Sequence, residues 1–242
     1  MTSVDFDLQR LIEKLERLAP LGHASRHSLQ GLPLRVERVN QGQLLVREGD
    51  VPMDCCVLLQ GYACRHKSTR SGARQIVSFH MAGDILDLQH LKLPRADHSV
   101  EAITPATIGW VPMYAMSQLL HDDPAVADAF WRDALIDASI FREWVLNVGR
   151  RDARARIAHM LCEFAARREA SGLGSPESFT LPMSQQMIAD ATGLTTVHVH
   201  RILRALCEEG ALVRDGRKIK IHDWNQLQRA ADFDPAYLHR AA

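Results

Sequence analysis

Between Met183 and Leu206 the chain reads MSQQMIADATGLTTVHVHRILRAL, two apolar-periodic runs parted by Gly193. That spacing leaves room for two short helices and a tight turn, and for little else. Ser184 offers a side-chain oxygen just ahead of Gln185 and Gln186, the mark of a helix start, and Thr195 or Thr196 restarts the pattern after the glycine. Val199, Ile202, Leu203 and Leu206 follow at i, i+3, i+4, i+7, so one face of the second helix is committed to a core. The opposite face holds Thr196, His200 and Arg204 in one row and Val197 and Arg201 in the next.

A helix surface of hydroxyl, imidazole, guanidinium and one small apolar group matches what the major groove of DNA presents. Guanine offers paired acceptors that an arginine meets bidentately, and a small apolar side chain meets the thymine methyl. Downstream, Ala211-Leu212-Val213 and Ile219-Lys220-Ile221 read as two strands around Asp215-Gly216, a hairpin made basic by Arg214, Arg217, Lys218 and Lys220. Such a hairpin is a wing beside a helix-turn-helix. A three-helix core with a glycine turn produces the same helix spacing with no nucleic acid involved, so the basic wing carries part of the weight.

At 242 residues the chain has the length of two domains, and a hydrophobic content of 46% is enough for a core in each. The 29 basic residues balance 29 acidic ones, which removes overall basicity as an argument for nucleic acid. Local charge decides instead. Basic residues crowd between Arg142 and Arg168 and in the wing, whereas Asp5, Asp7, Asp84, Asp87, Asp97, Asp122 and Asp123 weight the first half toward acid. The five cysteines, Cys55, Cys56, Cys64, Cys162 and Cys207, form no C-x-x-C pair. Adjacent Cys55 and Cys56 would point to opposite faces of a strand, which suits neither a zinc site nor a disulfide, and reduced thiols packed as small hydrophobes are expected. The first residues carry charges throughout and no continuous apolar run, so neither a signal peptide nor a membrane span is expected there, and the reading is cytoplasmic.

Residues 5 to 19 pattern as an amphipathic helix, with Phe6, Leu8, Leu11, Ile12, Leu15 and Leu18 on one side. From about Leu32 to Leu120 the period drops to two and glycines punctuate the chain, predicting short strands at Leu44-Val46, Cys55-Leu59, Ala63-His66, Gln75-His80 and Ile108-Val111 in an antiparallel roll. Asp122-Asp123-Pro124 then opens a long helix. Inside it Ala127, Trp131, Ala134, Ala138, Phe141, Val145 and Val148 recur at alternating spacings of four and three, a heptad seam suited to a partner helix. Ile136, Ile140 and Trp144 lie on another face, available to the helix's own domain. One broad face buried inside a monomer is the plainer alternative. Gly149 closes this helix and Asp152 caps the next, whose apolar row is Ile157, Met160, Leu161, Phe164 and Ala165. Arg150, Arg151, Arg154 and Arg156 cluster at the junction, as a solvated hinge or as phosphate contacts. Residues 171 to 178 read as a flexible loop, and Trp224 to Phe233 as a last helix.

In this order of roll, long helix, hinge and winged helix-turn-helix, the chain resembles the Crp/Fnr family of bacterial transcription regulators over roughly residues 30 to 222. The likeness is strongest in Leu194 to Leu203, LTTVHVHRIL, and in Gly149-Arg150-Arg151-Asp152-Ala153 followed by Arg156-Ile157-Ala158. The roll, with Gly42, Gly49, Gly61 and Gly83-Asp84, looks like the family's cyclic-nucleotide-binding fold. The fold class implied is α+β: an N-terminal antiparallel β-roll in a sensor domain over 1–121, a dimerisation helix over 122–149, and a winged helix-turn-helix over 150–242. The resemblance implies that Arg201 reads a guanine, with Thr196, Val197 and His200 tuning the site. Ser184, Gln185, Gln186, Thr195, Arg204, Arg217 and Lys218 stand around them as phosphate contacts. The paired helices would meet through Trp131, Ala134, Ala138, Phe141, Val145 and Val148. The family's usual Arg or Glu at the positions of Thr196 and Val197 is missing here, which leaves the half-site sequence open.

The sensor half departs further from the family. Relatives that bind cyclic AMP carry a Gly-Glu-Leu stretch for the ribose and an Arg-Ser pair for the phosphate, since a buried anion needs a guanidinium and backbone donors. This chain has Asp84-Ile85-Leu86-Asp87-Leu88 and Asp97-His98-Ser99 in those places, with Arg95 nearby. Asp84, Leu86, Asp87, Arg95, His98 and Ser99 are therefore the candidate effector pocket, and cyclic AMP is not the expected occupant. The family's oxygen-sensing branch holds an iron-sulfur cluster through cysteines ahead of the roll and one within it, and no cysteine precedes Cys55. The expected partners are double-stranded DNA, a second copy of the chain, RNA polymerase and a small-molecule effector of open identity, with no membrane, cofactor or metal. Two alternatives stand beside this reading. One is redox sensing through Cys55, Cys56 or Cys64, which needs exposed thiols of depressed pKa. The other is a cupin-like metalloenzyme drawing on His66, His80, His90 and His98, although the sole His-x-His pair, His198 and His200, sits on a helix where residues two apart do not face each other.

Overall fold

A computed structural model describes residues 7–175, 178–216 and 218–239. Among the described residues two compact units emerge, one gathering those up to Lys67 with Phe79–Asp137, the other Ser68–Ser78 with those from Ala138 onward.

In the first unit, helix α1 (Gln9–Leu18) buries Leu11, Ile12 and Leu15, the stripe that the sequence predicts. It starts later than residue 5, where the Asp7 carboxylate accepts the Gln9 N–H at 2.9 Å; Phe6 lies outside the described residues. Helix α2 (His23–Gln30) has no signature in the sequence, since it buries only Ser25 and Leu29 and carries almost no apolar period. The roll follows as β1 (Arg35–Val39), β2 (Leu44–Val46), β3 (Asp54–Gln60), β4 (Tyr62–Ser68), β5 (Arg74–Met81), β6 (Ser99–Ala102) and β7 (Ala106–Pro112), the residues of β5 up to Ser78 being grouped with the second unit. They form two antiparallel sheets, ordered β1-β7-β3 and β2-β6-β4-β5. Val39, Val46, Cys56, Leu58, Leu86, Val100 and Ile108 fill one core cluster. Cys55, one residue along β3, belongs instead to the cluster built with α1, so the two thiols do point to opposite faces. Gly61 joins β3 to β4 at φ 92°, and a Cβ there would stand 2.7 Å from the Pro105 carbonyl oxygen; only glycine serves. Where a period of two was expected to run on to Leu120, residues Met113–Asp122 form helix α3, burying Met116 and Leu119 three apart.

Helix α4 (Pro124–Arg150) is the predicted long helix, opened by Asp123, whose carboxylate accepts from the N–H groups of Ala125 and Val126. In the second unit, Asp152 caps α5 (Ala153–Ala170) by accepting from Ala155 N–H at 2.9 Å. The stretch read as a loop from 171 to 178 ends in a strand, β8 (Ser178–Thr180); Pro176 and Glu177 lie outside the described residues. Then come α6 (Gln185–Thr192), α7 (Thr196–Glu208), β9 (Leu212–Asp215), β10 (Lys218–Ile221) and α8 (Trp224–Ala231), with a small sheet ordered β8-β10-β9. No described helix is long and apolar enough to cross a membrane.

Candidate nucleic-acid interface

Helices α6 and α7 are joined by Gly193, Leu194 and Thr195. Gly193 takes the left-handed conformation, φ 67°, and its N–H reaches back to the Ala189 carbonyl, the usual glycine stop of a helix. Ser184 caps α6 by accepting from Met187 N–H at 3.2 Å, and Thr195 caps α7 by accepting from His198 N–H at 3.3 Å. Each hydroxyl is used there as an acceptor, so its own proton remains for an outside acceptor such as a phosphate oxygen.

Val199, Ile202, Leu203 and Leu206 of α7 are buried, as their spacing requires. Val197, His200, Arg201 and Arg204 are exposed and Thr196 half-exposed, with 78% of the Val197 surface open. The two arginines differ. Arg204 Nε donates to Glu208 Oε1 at 2.7 Å, whereas Arg201 makes no side-chain hydrogen bond or ion pair among the described residues. An unpaired guanidinium at the middle of an open helix face is free to take a bidentate acceptor. Gln186 is engaged along its own helix with Asp190, at 2.8 Å, and Gln185 is half-exposed.

Strand β10 alternates strictly: Ile219 and Ile221 are buried, Lys218 and Lys220 exposed. Arg214 folds over the turn and donates from Nε to the Gly216 carbonyl at 2.8 Å. Arg217 lies outside the described residues.

The sensor residues scatter into separate tasks. Asp84 is buried, accepting from Lys14 Nζ at 2.9 Å and facing His80 Nδ1 at 3.2 Å. Asp87, also buried, accepts the Cys56 N–H at 2.8 Å, and Leu86 gives its carbonyl to Arg65 Nη2 at 2.9 Å. Arg65 completes its bonding with Asp137 at 2.5 Å. Arg95 is exposed and donates to the Gly49 carbonyl at 3.1 Å, while Ser99 Oγ accepts from Glu48 N–H. His98 Nδ1 meets Asp97 Oδ1 at 2.6 Å, and its ring stacks on His90 with centroids 6.1 Å apart. Burial, aided by Arg65, lowers the pKa of His98 against the pull of Asp97. Arg65 is thus bonded within the chain, Arg95 gives one bond to a backbone carbonyl, and Asp97 adds a carboxylate beside Lys67, which also pairs with Glu48. The donor set does not fit a cyclic nucleotide phosphate.

Cys55, Cys56 and Cys64 are all fully buried, and burial followed by the Asp87 charge pushes the thiols of Cys55 and Cys56 up. That is the opposite of a reactive thiolate. Of the histidines weighed for a metal, His80 is tied to Asp84 and His66 faces Glu101 at 3.6 Å.

The stripe of α4 is open. Ala127 and Val148 are half-buried, and Trp131, Ala134, Ala138, Phe141 and Val145 are exposed, Trp131 by 66%. Leu135 and Leu146, which the heptad reading passed over, are exposed beside them. Ile140 and Trp144 are buried and Ile136 half-buried, which assigns the second row to the helix's own units. The junction arginines are not simply solvated: Arg151 Nη2 meets Glu143 at 2.7 Å, Arg154 pairs with Glu209, and Arg156 donates from Nε to the Arg151 carbonyl at 2.8 Å and from Nη1 to the Thr192 carbonyl at 3.2 Å.

Comparison with known proteins agrees with this geometry. Residues 155–230 match the model of a Crp-like helix-turn-helix domain, and residues 36–123 that of a cyclic nucleotide-binding domain. A probable transcriptional activator of Rhizobium leguminosarum bv. viciae is 27% identical over 210 residues, 86% of this chain and 84% of its own length. The nitrogen fixation regulation protein FixK of Azorhizobium caulinodans is 29% identical over 174 residues, 72% of this chain and 69% of its own. Among solved structures, FixK2 from Bradyrhizobium japonicum superposes with a TM-score of 0.75 at 25% identity, covering 82% of this chain and 98% of that one. The chain belongs to the Crp/Fnr family and is a DNA-binding transcriptional regulator with a roll of the cyclic-nucleotide-binding type and a helix-turn-helix.

Proposed function

We propose that two copies pair along the open stripe of α4 and present their α7 helices to the major groove of a near-palindromic duplex. The observation that carries this reading is α7 itself, one face buried and the other open with an unpaired Arg201. Arg201 reads a guanine in each half-site; Thr196, Val197 and His200 meet neighbouring bases. Ser184, Gln185, Gln186, Thr195, Arg204 and the wing residues Arg217 and Lys218 meet phosphates and set the register. Labour divides along the chain, with 1–121 as sensor, 122–149 as dimer helix and 150–242 as DNA reader. The relatives named as activators support activation, through RNA polymerase on the promoter and in the cytoplasm, where the DNA lies. The protein acts by binding and carries out no catalysis.

Native mass spectrometry with a duplex selected from random sequence tests the reading. Two chains per duplex are expected, on an inverted repeat with half-sites about 10–10.5 bp apart; one chain on a site without symmetry contradicts it. The roll is not a cyclic AMP site: calorimetry should register no heat of binding at physiological concentrations, and a micromolar dissociation constant would refute this.

A further inference from the structure

In the second unit the end of α4, helix α5 and the last described residues converge on one buried carboxylate. The Glu163 side chain is only 3% exposed. Trp144 Nε1 donates to both of its oxygens, at 3.0 and 3.1 Å, the Tyr237 hydroxyl donates to Oε2 at 2.8 Å, and Arg167 stands 3.7 Å away. A carboxylate held out of water persists only where donors compensate it. Here the donors come from two other segments, α4 and the stretch beyond α8.

A second layer repeats the arrangement. Glu143, beside Trp144 in sequence, accepts from Arg151 Nη2 at 2.7 Å and faces His159 Nε2 at 3.3 Å. Arg151, the first residue past α4, also donates to the Asp232 carbonyl at 3.0 Å. The rings of Phe233 and Tyr237 close on His159, with centroids 5.3 and 5.8 Å away, and Trp224 of α8 meets Phe233 edge-on. From the same junction Arg156 reaches the Thr192 carbonyl at the turn of the helix-turn-helix.

We infer that Phe233–Tyr237 is a clasp that fixes the direction in which α5 and the helix-turn-helix leave α4, and that Glu163 is its positioning residue, joined to α4 through Trp144 and to the clasp through Tyr237. The inference rests on α7 being the DNA reader and on the α4 stripe being the dimer seam. A regulator that spans two half-sites needs both readers at a fixed spacing, because the second contact gains from the first only if the geometry permits both at once. A single half-site makes no such demand.

The test uses the full chain with Tyr237→Phe, which keeps the ring and loses the hydroxyl, and with Trp144→Phe as a second, independent break. Affinity is measured by fluorescence anisotropy for the selected inverted repeat and for a duplex holding one half-site, with thermal unfolding in parallel. Both variants should lose about tenfold or more on the inverted repeat, within the gain that linked binding supplies, while matching wild type on the single half-site. Equal losses on the two duplexes, or none on either, overturn the clasp. If α7 is not the reader, wild type itself shows no preference for the inverted repeat and Arg201→Ala changes nothing, a failure separable from that of the clasp.

Discussion

Single residues carry the sharpest distinctions in this chain. Arg201 and Arg204 lie three apart on one helix, yet Glu208 occupies Arg204, and Arg201 has no side-chain partner among the described residues. The local pattern holds the clue, since Arg204 has Glu208 four residues on and Arg201 has Ala205, and the structure shows the pair formed. His80 shows the same principle inside the roll. Burial first, and then Arg65, lower its pKa from 6.5 to about 4, against the hydrogen bond and charge of Asp84 and the charge of Asp137. Lys14, which ties Asp84 to Asp133, completes the charges around it. The folded state therefore binds fewer protons at His80 than the unfolded chain does between pH 6.5 and about 4. Stability from this group is complete above the unfolded value and is lost as pH falls toward the folded one, at about 1.4 kcal/mol per pH unit. Urea unfolding of His80→Gln across that range should show a correspondingly shallower loss; a slope equal to wild type would mean that His80 is not held neutral.

At the scale of elements, the long helix and the capped α5 after it were legible, and several shorter elements were not. The heptad of α4 survives as an exposed stripe because its spacing of four and three is independent of what the rest of the chain does. Leu135 and Leu146 widen that stripe, and only exposure reveals them. By contrast α2 lacks an apolar period, β1 (RVERV) is mostly exposed, and β6 is four residues long; each is made by its partners rather than by its own pattern. The Arg150 to Arg156 cluster was readable as charge but not as a hinge brace, since its partners Thr192, Glu209 and Asp232 are distant in sequence. The open stripe carries its own expectation. Trp131→Glu and Phe141→Glu place charges where a partner helix would bury them, costing several kcal/mol, roughly 2–5 per site, in dimer stability. Sedimentation should find monomers at micromolar concentration, and variants that stay dimeric with unaltered DNA affinity would remove the seam.

For the whole molecule, the order of roll, long helix and winged helix-turn-helix was legible because each part announces itself by a different period: two, then three and a half, then two short runs about a glycine. Within the roll, the partners of Asp84, Asp87, Arg95, His98 and Ser99 were not legible, because most of those bonds join separate strands and loops of the fold. The claim on which the account depends is that α7 reads bases and the wing holds phosphates. A contact of the Arg201 kind is worth about 1–3 kcal/mol and acts at one position of the site, whereas a wing lysine weakens every sequence alike and lowers the salt dependence. Selection of binding sites from random DNA by wild type, Arg201→Ala and Lys218→Ala separates the two. Wild type and Lys218→Ala should return the same inverted repeat, and Arg201→Ala should return one degenerate at a single symmetric position; an unchanged motif from Arg201→Ala, or the absence of any inverted repeat, would contradict the account.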